Sequence, residues 1–528
     1  MDDFYTPSTK GSMDGEVLRL QLPICDKTVT SEVAGDFSLP DYQPEIKRLL
    51  RVSATVQPPT HYVGGGSAEF AGTVDFCMIY AGSDGKMYCF PSSSDYVFRV
   101  PLEASPDFDL NDGLMCYALC EPESVISRVI GPRRMSVKCR LKARVRACGS
   151  YLLQEKRRGT LAAEGGEERL WYEVETAVSA YAQGEPFVVS DEVVLEKEDG
   201  QSDDWRIVSG DAQVMVGEAV CGNGRVNCRG EVVLKLMLQR EGEGHEPVSV
   251  WRKLPFDHEM KMDGAAVGGE AAVDGCCTEL NLSMEDGRVL CEAEVVLEAR
   301  CQRAQTLSYT ADWYATGCES SCGFSEVTVP RALRCINGNV TQSEFKPIEE
   351  LGPGTDVRVV DVAGQATAEA VTQDRGRYVI SGNCRYTLIL ASPDGEMSTK
   401  EVEMPWRYVV DGAPSGEVPL HYEGQARVLS ARARMDGKRL AIDAELGVCA
   451  RLWTEETVSV ATALTVQEPV ERLAGEMILC YPSREDTLWS VGKRYGCAID
   501  RLVVKNRLND EKRADDKASL SDVKVMGI

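Results

Sequence analysis

The feature that most constrains the fold is a long internal repeat. Each copy has a glycine, five further residues, a second glycine and then an alternating apolar run. The copies are Gly66–Gly72 before TVDFCMIY, Gly224–Gly230 before EVVLKLML, and Gly376–Gly382 before NCRYTLIL. They are offset by roughly 150 residues, which is the size of a domain. A repeat of this length predicts three copies of one fold.

Further segments recur within the copies. Pro-aromatic steps occur at Leu254–Phe256 (LPF) and Met404–Trp406 (MPW). A second alternating run follows in each copy: RRMSVKCRLKARVRA from Arg133, DGRVLCEAEVVLEAR from Asp286, and DGKRLAIDAELGVCA from Asp436. Val-rich runs of period two, bounded by Gly, Asp and Pro, are typical of half-buried antiparallel strands. We therefore predict a mainly β protein with three β-rich domains, each sandwich-like or an open barrel.

The repeat and the charge-rich stretches suggest domain limits. We predict an N-terminal tail (1–16), three β domains (17–150, 186–305 and 324–468), connectors (151–185 and 306–323), a linker (469–475) and a C-terminal module (476–528). Glu155–Arg169 is predicted to form a loop or hairpin tip, because it is rich in charge and glycine. The paired glycines indicate a tight turn or bulge and not a phosphate cradle, because a strand and not a helix follows each pair.

Charge narrows the possible partners and location. The chain has 528 residues and a formal net charge of −25. This charge argues against nucleic acid as a partner and disfavours anionic membranes. No run approaches the roughly 18 to 20 apolar residues of a membrane span, so we expect no membrane insertion. Met1–Glu16 lacks a basic region followed by an apolar stretch, which favours a cytoplasmic location.

The 20 cysteines are interpreted mainly as small buried hydrophobic residues, since most lie within strand-like runs. Two CxxxC pairs, Cys116 with Cys120 and Cys318 with Cys322, leave a metal or redox role open, as does the vicinal pair at 276–277. Neither CxxxC spacing is the CxxC of a typical zinc site, and no His is near either pair. We expect no metal and no cofactor.

The C-terminal module has the strongest local pattern, YPSREDTLWSVGKRYGCAIDRLVVKNRLND from Tyr481 to Asp510. Asp486 is predicted to cap a first helix, and Gly496 to end it in a left-handed conformation. Apolar faces are predicted on both helices, at Leu488, Val491 and Tyr495 on the first and at Ile499, Leu502 and Val503 on the second. With short apolar runs at 477–479 and 523–526 as paired strands, the prediction is a βααβ unit.

This module resembles the LysM family. The segment LPDYQPEIKRLLRV, Leu39 to Val52, resembles the start of the SPOCS domain, a β-rich unit of spore-coat proteins in spore-forming Firmicutes. Related segments start at Phe187 (FVVSDEVVLEKEDG) and Phe345 (FKPIEELGPGTDVRVVDV). Three SPOCS-like domains followed by LysM is the layout of a family of clostridial spore-coat morphogenetic proteins. The resemblance implies a non-enzymatic scaffold for spore-coat or envelope assembly, with possible self-association through the β domains.

LysM modules commonly bind N-acetylglucosamine glycans in a groove between two loops, which here are Ser483–Thr487 and Arg507–Asp510. Glu485 stands where the family usually has glycine, which adds a charge and a side chain at that groove. We therefore favour a protein ligand, with peptidoglycan glycan as the alternative. The predicted binding surface comprises Ser483, Arg484, Glu485, Asp486, Thr487, Trp489, Lys493, Arg494, Arg507, Leu508, Asn509 and Asp510.

The cations on the two predicted helices are Lys493, Arg494, Arg501, Lys505 and Arg507. They form either a solvated face or, with Trp489 as an aromatic anchor, a dock for an acidic partner. The family resemblance implies that this partner is the coat-basement ATPase, stage IV sporulation protein A, at the forespore surface in the mother cell. The four histidines have no flanking nucleophile or metal-ligand spacing, so we predict no enzyme, with a hydrolase in a β domain as a third possibility.

Overall fold

A computed structural model provides the structure of the protein. It describes residues 17–103, 105–109, 113–161, 165–195, 205–240, 247–285, 287–347, 357–414, 418–436, 439–470, 478–508, 519–520 and 523–528. The predicted tail, 1–16, and most of the predicted linker, 469–475, lie outside these ranges.

The first copy of the repeat is a sandwich of two antiparallel sheets. Its strands are β1 (Val17–Ser38), β2 (Ile46–Val56), β3 (Thr60–Gly64), β4 (Ser67–Gly82), β5 (Met87–Pro101), β6 (Phe108–Asp109), β7 (Met115–Gly131) and β8 (Arg134–Gln154). In one sheet β8 lies between β1 and β7, and in the other β4 lies between β2 and β5. The short strands β6 and β3 add to these sheets.

The second and third copies repeat this topology. The second has β10 (Glu167–Gln183), β11 (Phe187–Val194), β12 (Trp205–Gly222), β13 (Arg225–Arg240), β14 (Val248–Lys261), β15 (Glu270–Glu285) and β16 (Arg288–Ala315). The third has β17 (Cys318–Pro347), β18 (Arg358–Asp374), β19 (Arg377–Ala391), β20 (Met397–Asp411), β21 (His421–Asp436) and β22 (Arg439–Pro469). In each copy the first strand pairs with the last, and the other sheet contains three long strands, β2-β4-β5, β12-β13-β14 or β18-β19-β20. In the second copy β11 also pairs with β16. The prediction of a mainly β protein is confirmed.

The repeated glycines serve the turns and sheets as predicted. Gly66, Gly224 and Gly376 have φ of 73°, 68° and 76°, the left-handed conformation that glycine adopts most easily. The second glycine of each pair lies across the sheet from an aromatic residue: Gly72 from Tyr96, Gly230 from Phe256, and Gly382 from Trp406. A Cβ on Gly382 would lie 1.8 Å from the Thr367 carbonyl oxygen, so a side chain has no room there.

A β-bulge in each of the corresponding strands β2, β12 and β18 directs one apolar residue towards the other copies. The bulged residues are Leu50, Val208 and Val360, each flanked by a shift in strand register. All three belong to one hydrophobic cluster with Ile79, Met237 and Ile389. Beside this cluster the Asp361 carboxylate binds Arg51 at 2.6 Å and Lys235 at 2.5 Å, which links all three copies.

The long first and last strands of the copies build a second shared cluster. Its buried members are Leu20, Leu22, Leu153, Val174, Tyr309, Val327, Val329, Val458 and Val460. They come from β1 and β8, from β10 and β16, and from β17 and β22, so corresponding strands of all three copies contribute. The three sandwiches therefore pack around a common centre.

Much of the sequence predicted as connectors is strand. Residues 167–183 form β10, and 306–315 continue β16, with which β10 pairs. The loop predicted at Glu155–Arg169 is wrong for Lys156–Arg158, which is β9 and pairs in parallel with Ala463–Thr465 of β22, and for Glu167–Arg169, which begins β10. All three residues of β9 are exposed, and Glu167, Glu168 and Arg169 at the start of β10 are only half-buried, so these strands accommodate charged side chains.

The C-terminal module contains β23 (Leu479–Cys480), α1 (Leu488–Tyr495), α2 (Ile499–Asn506) and β24 (Met526–Gly527), with β23 antiparallel to β24. This is the predicted strand, helix, helix, strand order, with the strands within three residues of the expected positions. Among the described residues, neither α1 nor α2 has the length and apolar character needed to cross a membrane.

Candidate functional site

Helix α1 begins one residue later than the sequence predicted. Its N-cap is Thr487, whose hydroxyl accepts a hydrogen bond from the Ser490 N–H. In return, the Ser490 hydroxyl accepts a hydrogen bond from the Thr487 N–H. Asp486 is therefore not the cap, because Ser490 lies three residues after Thr487 and completes a reciprocal capping box. The Asp486 carboxylate instead accepts from the Ser483 N–H at 2.8 Å and binds Arg494 at 2.5 Å. These two contacts hold the pKa of Asp486 below its usual value.

The rest of the helical prediction is confirmed. Gly496 ends α1 with φ 57° and ψ 41°. Leu488 and Val491 on α1, and Leu502 and Val503 on α2, are buried in the core of the module. Tyr495 and Ile499 pack against that core from its edge.

The predicted anchor Trp489 contacts the second β copy of the same chain. Its indole N–H donates to Asp312 Oδ2 at 2.7 Å. The Lys493 ammonium lies 2.6 and 2.7 Å from the two oxygens of that carboxylate. The acidic group that these two residues were predicted to recognise is thus supplied by β16.

Further contacts fix α1 to the end of β16. The Tyr314 ring meets the Trp489 ring edge-on at 4.9 Å, and its hydroxyl donates to the Cys497 carbonyl at 2.8 Å. The Glu168 carboxylate accepts from the Ile499 N–H at 3.2 Å. Sequence reasoning missed Glu168, Asp312 and Tyr314 because they lie in segments predicted as connectors.

The predicted ligand loops are only partly described. Ser483, Arg484 and Glu485 are exposed, and Thr487 is half-buried. The first loop is tied to residues 519–520, because Ser519 donates to the Arg484 carbonyl at 2.8 Å and Leu520 N–H donates to the Asp486 carbonyl at 3.0 Å. Arg507 is exposed with φ 52°, and Leu508 packs against the module core. Asn509 and Asp510 lie outside the described residues.

A different part of the module is open to solvent. Tyr481 and Val504 are 72% and 79% exposed, and Leu479 and Val525 are also exposed. Arg501 and Arg507, at either side of Val504 along α2, are exposed as well. The module therefore offers apolar and cationic side chains together, in a chain whose net charge is −25.

A second notable group lies where the three sandwiches meet. Arg146, Arg300 and Arg451 occupy corresponding places in the last strands β8, β16 and β22, where they pair with Tyr117, Ala272 and Glu423. All three arginines are buried. A sequence signal for them exists, since each lies at the same distance from the arginine that begins its strand, Arg134, Arg288 or Arg439.

Glu423 joins these arginines, and we call the four residues the arginine centre. Its carboxylate lies 3.2 Å from Arg300, 3.4 Å from Arg451 and 3.8 Å from Arg146. The Tyr117 hydroxyl donates to it at 2.7 Å. Burial alone raises the pKa of Glu423, but Arg451, Arg300 and Arg146 outweigh that effect and lower it to about 2. The carboxylate is therefore ionised at neutral pH.

The cysteine pairs singled out in the sequence lie within strands. Cys116 is buried and Cys120 half-buried along β7, while Cys318 is buried and Cys322 half-buried near the start of β17. Burial raises the pKa of Cys116 and Cys120 to about 12. In the described part of the chain, no three His, Cys, Asp or Glu side chains are grouped to hold a metal ion.

Comparison with known proteins identifies no relative. No protein-family model matches the chain, and no curated protein matches it. The resemblance to SPOCS and LysM domains stays a prediction.

Proposed function

We propose that the protein is a non-enzymatic scaffold for spore-coat or envelope assembly, whose C-terminal module docks a protein partner. By resemblance to morphogenetic proteins of the SipL type, the partner is the coat-basement ATPase, stage IV sporulation protein A, at the forespore surface in the mother-cell cytoplasm. The observation that carries the proposal is the exposed cationic and apolar surface of the module on an acidic body.

The contacts of α1 shift the proposed partner surface. Trp489 and Lys493 are engaged by Asp312, so they hold the module on the β body. The exposed side chains proposed to meet an external partner are Arg501 and Val504 on α2 and Arg507 at its C-cap, with Tyr481 beside the first loop. An exposed aromatic residue and arginines are favoured anchors of protein interfaces, and cations select acidic partners.

The test is affinity capture with the full-length chain from sporulating cells, with captured proteins identified by mass spectrometry. Arg501→Glu with Arg507→Glu reverses one charge on α2 and one at its C-cap, and is expected to remove the ATPase from the captured set. Arg128→Glu with Arg432→Glu is the matched control, since both arginines are exposed on β strands of the body. Equal capture of the ATPase by both double variants would contradict the proposed surface.

The glycan alternative is tested with the same proteins by pelleting with purified peptidoglycan. The protein-docking proposal predicts no saturable retention of the wild-type chain. Saturable retention that is lost on changing Ser483 and Arg484, which are exposed in the first loop, would replace the proposal with cell-wall binding.

A further inference from the structure

The arginine centre contains more positive charge than its carboxylate balances. The side chains of Arg146, Arg300 and Arg451 are 5%, 0% and 1% exposed, and among the residues that the structure describes the one carboxylate within 4 Å of all three is that of Glu423. These four residues leave two positive charges uncompensated. Buried charge is costly unless it is paired, so a compensating negative charge is expected nearby.

The surrounding carboxylates do not supply that charge. Asp26 lies 3.8 Å from Arg146, but both its oxygens bind Arg144, at 3.0 and 3.1 Å. Asp274 is likewise paired, because it binds Arg427 at 2.8 Å. Each of these ion pairs is neutral as a unit.

Two further buried acidic groups, Glu298 and Cys449, are poor sources of negative charge. Glu298 accepts a hydrogen bond from Tyr181 at 2.6 Å, and burial raises its pKa above the usual value. The Cys449 sulfur accepts from Arg300 at 3.0 Å, and burial raises the pKa of this thiol to about 11. Cys449 is therefore a neutral thiol at physiological pH, and even an ionised Glu298 would leave one positive charge.

The unsatisfied hydrogen-bond donors of the arginine centre also indicate that a negatively charged acceptor is missing. Five buried nitrogen atoms here have no acceptor among the described residues: Nε of Arg146, Arg300 and Arg451, Nη1 of Arg146, and Nε1 of Trp453. The Trp453 ring belongs to the same site, since the guanidinium groups of Arg146 and Arg451 lie 4.0 and 5.3 Å from its centroid. All five atoms are donors, so what is missing is an acceptor.

We propose that the arginine centre binds one small anion of the halide class, which accepts hydrogen bonds from guanidinium groups of all three β copies. Water could accept some of these bonds but would leave the charge unbalanced, whereas an anion satisfies both needs. A monatomic anion suits the site because the arginines are almost fully enclosed. Since each copy supplies one arginine, the bound anion stabilises the packing of the copies.

The test uses the full-length protein, prepared without halide and unfolded by urea in sodium bromide or in sodium methanesulfonate at equal ionic strength. Bromide is expected to raise the unfolding midpoint saturably above that in methanesulfonate. Arg146→Met should abolish the difference between the two salts, because it removes two of the unpartnered donors. Arg128→Met, at an exposed position, should retain the difference.

If Arg146→Met does not fold, crystals of the wild-type protein soaked in bromide provide an independent test. An anomalous bromide peak within hydrogen-bond reach of Arg146, Arg300 or Arg451 is the expected result. Equal unfolding midpoints in the two salts, or solvent density at the centre without an anomalous signal, would overturn the proposal.

Discussion

Replacing Glu423 with Gln should destabilise the packing of all three β copies. The substitution preserves the shape of the side chain and an oxygen that can accept from Tyr117, but it removes the negative charge. Three buried guanidinium groups, on β8, β16 and β22, then lose their common ionic partner. Removing one partner of a buried ion pair is strongly destabilising because the remaining charge stays buried.

The pKa of Glu423 sets the magnitude. The three arginines lower it from 4.5 to about 2, and each pKa unit corresponds to about 1.4 kcal/mol. The ionised carboxylate thus contributes about 3 kcal/mol, and no reduction for solvent screening applies because the side chain is fully buried. A folded-state pKa below the unfolded value gives stability that is present above about pH 4.5 and is lost as pH falls towards 2.

The assay is urea unfolding of wild-type protein and Glu423→Gln, followed by tryptophan fluorescence. Trp453 is a suitable reporter because Arg146 stacks on its ring at 4.0 Å. At pH 7 the variant should be less stable by about 3 kcal/mol, and the difference should shrink as pH is lowered from 4.5 towards 2.

Glu32→Gln is the matched control for charge removal, since Glu32 forms an exposed ion pair with Lys138. Exposed pairs contribute about 0 to 1 kcal/mol, so this variant should stay close to wild type. Equal stability of Glu423→Gln and Glu32→Gln at pH 7 would refute the reasoning that Glu423 neutralises a buried centre.

Three other changes test the remaining structure. Gly382→Ala should destabilise the third copy because the new Cβ meets the Thr367 carbonyl, whereas Gly131→Ala, with no atom closer than 3.9 Å, should unfold in urea like wild type. Leu50→Ala should lower the free energy of unfolding by about 2–5 kcal/mol through a cavity in the inter-copy cluster, and a loss below 1 kcal/mol would show that the cluster is not tightly packed. Asp312→Ala should speed hydrogen exchange in α1, because Trp489 and Lys493 lose their acceptor, and unchanged exchange would contradict the docking of the module.

The β topology could be predicted from the sequence because its signals are local and repeated. Paired glycines predicted turns, and alternating runs predicted strands, which the structure confirms. The aromatic residues at LPF and MPW lie directly across from the second glycines. In the first copy Tyr96 fills that position with Asp95 in place of the proline, so the sequence shows no Pro-aromatic step there.

The predictions that were wrong concern segments whose local sequence is compatible with two structures. Asp486 and Thr487 are both good N-caps, and Ser490 selects Thr487 by completing the reciprocal pair. Charged residues at 155–169 favoured a loop, yet β9 is a short strand with all its side chains exposed. Propensity cannot distinguish a solvent-facing strand from a charged loop when the strand pairs with a distant segment.

The candidate site depends on contacts that are distant in sequence. Nothing near Trp489 indicates that Asp312 is its partner, because the two meet only through the fold. The equal spacing of Arg146, Arg300 and Arg451 along their strands is a weak sequence signal for the arginine centre. The role of Glu423 could not be predicted, since the corresponding positions in the other copies are Tyr117 and Ala272.

That difference between the copies has a consequence for stoichiometry. In a symmetric trimer of separate chains, a residue facing the threefold axis is present three times or not at all. Three glutamates there would balance the three guanidinium groups in full and leave no charge for an added anion, and none would leave all three without a counter-charge. Joining the copies in one polypeptide allows a single glutamate, a single tyrosine and a single alanine to occupy the three related positions. Covalent linkage thus permits three arginines and one glutamate to share the centre, whereas a homotrimer could place acidic side chains there only in multiples of three.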